Sequence, residues 1–124
     1  MNIAIIDPSP LSSNGLSLLL TKKLHPSSIK AFNDFEEFVI SISNNLIPKF
    51  NLVILNSIGY DSDHIIGYLR ILNSFIEEGH IVLIYDNTSP LHLQISINQN
   101  KIHHFSVDND MKKFESFIKS IIKK

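Results

Sequence analysis

Cysteine is absent from the 124 residues, which excludes disulfides, thiolate catalysis, cysteine-based zinc sites and cysteine-phosphorylated carriers. No apolar run approaches the ~18 residues that a membrane-spanning helix requires. The opening Met1-Asn2-Ile3-Ala4-Ile5-Ile6-Asp7 reaches an acid before a signal-peptide core has formed. A soluble, cytoplasmic protein is therefore expected. An excess of one charge is also missing. Eleven Lys and Arg face twelve Asp and Glu, leaving a net charge of −1, which supplies no global attraction to nucleic acid or to an acidic membrane.

What is present is a globular composition, with 44% apolar and 19% charged residues. The length suits one domain with a sizeable core, here read as residues 1–124. Asn2–Ile6 is a short continuous apolar run, as in a strand buried on both faces. Asp7-Pro8-Ser9-Pro10 is a loop whose second proline can enter the first turn of a helix. Leu11, Leu16, Leu18, Leu19 and Leu20 follow, then Lys22, Lys23 and His25 at the helix's negative end, and Pro26 stops it. Ser28–Phe32 predicts a second strand, and Asn33-Asp34-Phe35-Glu36 a capping box before a second helix. Residues 51–55 predict the third strand. Asp61 and Asp63 can cap a helix with Ile65, Leu69 and Leu72 on its apolar face, stopped by Gly79. Strands at 81–85 and 101–105 come next, separated by a short helix over 89–97. A last helix over 108–124 carries Phe114, Phe117, Ile118 and Ile121 on one side.

Alternating strands and helices imply an α/β fold with a parallel sheet covered on both faces. Five such units fit a flavodoxin-like doubly wound sheet, order 2-1-3-4-5, with five helices. In that topology the functional crevice lies outside the carboxyl ends of strands 1 and 3. Asp7 and Asn56 then become neighbours at the marked site. A phosphate-cradling loop after strand 1 would need glycines; two prolines without N–H groups and an acid stand there instead, which argues against flavin phosphate binding. A magnesium site usually draws on one or two carboxylates, and only Asp7 offers one here. Its simplest role is to accept loop hydrogen bonds or to cap the first helix.

The stretch Ile3-Ala4-Ile5-Ile6-Asp7-Pro8-Ser9-Pro10, followed by Gly15-Leu16, resembles the opening of response-regulator receiver domains of the NarL/LuxR type, which have the CheY-like fold. Those domains run strand, acid pair, x-Pro, then a helix with a Gly-Leu step. Phe50-Asn51-Leu52-Val53-Ile54-Leu55-Asn56-Ser57 resembles their third strand, Ile81 to Tyr85 their fourth, and His103-His104-Phe105-Ser106 their fifth. The resemblance implies an acid pair and a phospho-accepting Asp for magnesium, with a small hydroxyl and a Lys receiving the phosphate. This chain departs at every one of these positions. The acid pair has shrunk to Asp7 followed by Pro8; the acceptor is Asn56, the hydroxyl position Tyr85 and the Lys position Ser106. An amide has no carboxylate oxygen from which an acyl phosphate can form. The expectation is a pseudo-receiver independent of phosphate, without cofactor, metal or catalysis. It resembles the auxiliary LuxR-type regulators of the RcsA and BglJ kind. The implied partners are a second copy or another response regulator, in a homo- or heterodimer, with DNA contacted only through a separate helix-turn-helix. Two other readings stay open: phosphorylation on a displaced carboxylate, Asp61 or Asp7, and a small-ligand sensor in the vacated crevice.

Receivers of this family commonly dimerise through their first, fourth and fifth helices and fifth strand, which makes Leu91, Leu93, Met111 and Phe114 the candidate interaction surface. Residues 101–124 hold six lysines against Asp108, Asp110 and Glu115, as expected of the solvated face of an amphipathic helix. Six histidines are also present. His103 and His104 are adjacent on a strand and point to opposite faces, and the rest lie in different elements at no chelating spacing, so no metal site is expected.

Overall fold

The computed structural model describes residues 1–26, 28–43, 50–58, 60–75, 79–85, 102–106 and 111–122. Five strands, β1 (Asn2–Ile6), β2 (Ser28–Phe32), β3 (Leu52–Asn56), β4 (His80–Tyr85) and β5 (Ile102–Ser106), form one sheet in the order β2-β1-β3-β4-β5. Every pairing is parallel. Four helices lie among the described residues: α1 (Pro10–Leu24), α2 (Phe35–Ser43), α3 (Ser62–Phe75) and α4 (Met111–Ile122). The expected count was five. The additional helix, predicted over 89–97, lies outside the described residues, as do Leu91 and Leu93.

The period-2 geometry of a strand sorts the apolar runs onto two faces. Ala4, Ile6, Val53, Leu55, Ile81 and Leu83 pack with Phe35 and Phe38 of α2 and with Ile65, Leu69 and Leu72 of α3. Ile3, Ile5, Leu52, Ile54, Val82 and Ile84 pack with Leu16 and Leu20 of α1 and with Phe114, Ile118 and Ile121 of α4. Because both faces are covered, β1 and β3 read as unbroken apolar runs rather than alternating ones. Phe32, Phe38 and Phe50 meet edge-on or tilted, with centroids 5.3 to 6.3 Å apart, and fill the end of the first core.

The helix ends are set by local chemistry. Ser9 caps α1 by accepting the Ser12 N–H on its Oγ, and Pro10 occupies the first turn. His25 closes α1 in the left-handed region at φ 47°, a position more often filled by glycine. Asp34 Oδ1 accepts the Glu37 N–H at 2.8 Å while Glu37 Oε2 accepts the Asn33 N–H at 3.4 Å. The reciprocal partner of the cap is thus Glu37, one residue beyond the expected Glu36. Phe114, expected on an interaction surface, is 1% exposed and stacks edge-on against Phe105 at 4.8 Å. It belongs to the core, because the apolar stripe of α4 is consumed by the sheet.

Candidate functional site

The parallel register brings the strand ends together. Ile6 lies opposite Leu55, so Asp7 and Asn56 leave the sheet side by side from β1 and β3. Asn56 in turn pairs with Ile84, and Tyr85 with Ser106. Asp7, Asn56, Tyr85 and Ser106 therefore follow one another across the carboxyl edge of the sheet, with Pro8 opening the loop to α1.

Asp7 is 1% exposed. Its backbone N–H donates to the Phe32 carbonyl at 3.0 Å, and its Oδ1 accepts the Ser9 N–H at 2.8 Å. This second bond makes an Asx turn that presents Ser9 as the α1 cap. Oδ2 is buried and has no hydrogen-bond partner among the described residues. A buried carboxylate oxygen without a partner forfeits its hydration, a cost of about 1–3 kcal/mol.

Asn56, half-buried, spends its amide locally: Oδ1 accepts the Ile58 N–H at 3.1 Å. Beside it the Ser57 side chain is fully buried, and both its N–H and its Oγ–H donate to the Ile84 carbonyl. Tyr60 N–H donates to the Ser57 carbonyl at 3.1 Å, continuing the turn toward α3. The floor of the crevice between β3 and β4 is thus a closed set of backbone and hydroxyl bonds.

Its α2/α3 side is aromatic. Phe35 stacks on Tyr68 at 4.1 Å, and Tyr60 meets Tyr68 edge-on at 5.5 Å. The Tyr60 hydroxyl ionises above its ordinary value, first because of burial and then because of Tyr68, Asp34 and Asp7 nearby. Asp61 stands outside the crevice as the cap of α3: its Oδ1 accepts the His64 N–H at 2.9 Å and contacts His64 Nδ1 at 2.7 Å. These two bonds from His64 hold the Asp61 carboxyl below its usual range.

Sequence spacing missed one pair of residues. His80 Nδ1 and His103 Nε2 lie 3.1 Å apart at the opposite end of the sheet. Only the β4–β5 register reveals this contact, and no sequence motif encodes it. Among the described residues no group of three or more His, Asp or Glu side chains could hold a metal ion. No helix among them is long and apolar enough to cross a membrane.

No protein-family model matches the sequence, and no curated protein matches it. Two solved structures do match in shape. One is an adenylate cyclase from Rhodopirellula baltica, with a TM-score of 0.67 and 13% identity over 98% of this chain and 87% of that one. The other is a CheY-like response regulator receiver domain protein from Methanospirillum hungatei JF-1, with a TM-score of 0.65 and 15% identity over 99% of this chain and 98% of that one. At such identities the likeness concerns the fold alone. Strand order, helix placement and this full-length superposition together give the chain a CheY-like, receiver-type fold.

Proposed function

We propose that the chain is a regulatory interaction domain of receiver type whose state is not set by phosphorylation. The observation that carries this reading is Asn56: it ends β3 at the crevice and its only acceptor oxygen holds the Ile58 N–H. No carboxylate stands at that strand end, and the Lys and small-hydroxyl positions hold Ser106 and Tyr85. An amide at the acceptor position cannot form an acyl phosphate, so in this reading regulation falls to association. Supporting this, α1 displays Leu11 and Leu18 at 85% and 73% exposure, one on each side of Gly15, around which a side chain would meet nothing within 4 Å. Positions i, i+4 and i+7 share one helix face. The leucines thus form an open apolar stripe on the solvent side of α1. The partner is a second copy or another receiver domain, DNA is reached through a separate helix-turn-helix, and the setting is the cytoplasm.

Mass spectrometry after incubation with acetyl phosphate and magnesium tests the central point. The unmodified mass is expected; a stoichiometric gain of ~80 Da on Asp7 or Asp61 overturns the reading in favour of a displaced acceptor. Light scattering tests the other half, with Leu11→Lys/Leu18→Lys expected to abolish association of an otherwise folded chain.

A second reading is favoured by the buried Oδ2 of Asp7 and the aromatic side formed by Tyr60 and Tyr68. A small cationic or hydrogen-bond-donating ligand in the crevice would satisfy that oxygen. A metabolite thermal-shift screen tests it, because a ligand specific for the folded state raises the melting point by mass action.

A further inference from the structure

We propose that His80 and His103 form a two-histidine chelate for a borderline divalent transition-metal ion of the copper, nickel or zinc class. The two residues sit on adjacent strands. His103 lies opposite Val82, and His80 stands two positions before Val82 on the same face, so the two are diagonal neighbours across the β4–β5 ladder. Their rings converge with centroids 5.2 Å apart and an interplanar angle of 52°, and the nitrogens His80 Nδ1 and His103 Nε2 approach to 3.1 Å.

That separation matches a metal bite. Two nitrogens bound at about 2.0–2.1 Å stand about 2.9 Å apart at a right angle and about 3.3 Å apart at the tetrahedral angle. The strand spacing therefore suits a chelate once each ring turns its lone pair toward a common point off the line between the two nitrogens. Both backbones are held: the His80 N–H donates to the Asn51 carbonyl at 2.9 Å, and β5 is paired along β4. The His103 ring is also braced edge-on by Phe117 of α4 at 6.2 Å. Donors fixed on strands lose little freedom on binding. Imidazole favours copper, nickel and zinc over magnesium or calcium. Both histidines are half-buried, so water can complete the coordination sphere.

The proton balance is simple. The contact between His80 Nδ1 and His103 Nε2 can hold one proton between the two inner nitrogens. On binding, that proton leaves for an outer nitrogen or for solvent, and both inner lone pairs go to the metal. The site lies at the amino end of the strands, away from Asp7 and Asn56, and is independent of the reading proposed for that crevice.

Titration of the full chain with zinc, followed through the histidine side-chain 15N signals, tests the chelate. Saturable one-to-one binding is expected, with His80 Nδ1 and His103 Nε2 shifting together. His80→Gln and His103→Gln should each weaken binding by about 10-fold or more, by analogy with the loss seen on disturbing a metal's supporting groups. His25→Gln should leave it unchanged. Silence of both inner nitrogens at saturating zinc, or zinc collecting at Asp61 and His64 instead, overturns the proposal and leaves the pair a hydrogen bond. The wild-type spectrum decides the matter even if a variant does not fold.

Discussion

The carbonyl oxygen of Ile84 accepts two donors from one residue, the N–H and the Oγ–H of Ser57. Both groups are buried, and the paired bonds tie the turn after β3 to the end of β4. Ser57→Ala keeps the backbone bond and deletes the hydroxyl. We expect a loss of about 1 kcal/mol in urea unfolding, the net worth of an ordinary internal hydrogen bond. A neutral result would show that the N–H alone fixes this turn.

Asp7 offers the opposite sign. Asp7→Asn keeps an Oδ1 acceptor for the Ser9 N–H and removes a buried charge whose second oxygen has no partner among the described residues. The variant puts an amide NH2, equally without a partner among those residues, where Oδ2 stands, so the only gain is the lost charge and it should not exceed about 1 kcal/mol. Asp7→Ala should be less stable than the parent, because it loses the turn that presents the α1 cap. Parallel melts of the three proteins check the ranking.

Much of this architecture is legible in the sequence because buried parallel strands need continuous apolar runs. Asn2–Ile6 and Leu52–Asn56 carry that signature, and the alternation with helices gives the order of the sheet. The placement of Asp7 beside Asn56 follows from topology alone. The leucines of α1 were less informative: five fall within ten residues, and their spacing does not reveal that Leu16 and Leu20 are buried while Leu11 and Leu18 are exposed. The capping pattern points to Glu36 where the structure uses Glu37, because the two are adjacent and chemically alike. The His80–His103 contact was hidden for a deeper reason. It depends on the register of two strands 22 residues apart in their first positions, and no local pattern records a register.

Phe114 separates a core reading from a surface one. It is 1% exposed and packed on Phe105. Phe114→Ala should cost about 3–5 kcal/mol through lost burial and the cavity left behind. A surface residue would change stability by no more than about 0.5 kcal/mol. Denaturant midpoints at unchanged slope give the measurement.

Alkaline pH should weaken the fold through Tyr60 and Tyr68. Both hydroxyls ionise above the ordinary value of 10.0, chiefly because burial disfavours the phenolate. In the unfolded chain they release protons first, so stability is intact below pH 10 and falls as the pH climbs from there through the folded values. Absorbance of the phenolate should show these tyrosines titrating late, and Tyr60→Phe should flatten the alkaline decline.

The sheet order also sets a schedule for the newly made chain. β1 is complete once Ile6 has been added, yet one of its edges waits for β3, which begins at Leu52. At about 5–20 residues per second, the ribosome takes several seconds to supply that partner. During this interval Ile3, Ala4, Ile5 and Ile6 have β2 and α1 for company, but an apolar strand edge stays open to any neighbouring chain. Of the two partners, the strand made first is therefore the one more exposed to mispairing. In the finished protein its amides, enclosed between β2 and β3, should be among the last to exchange with solvent.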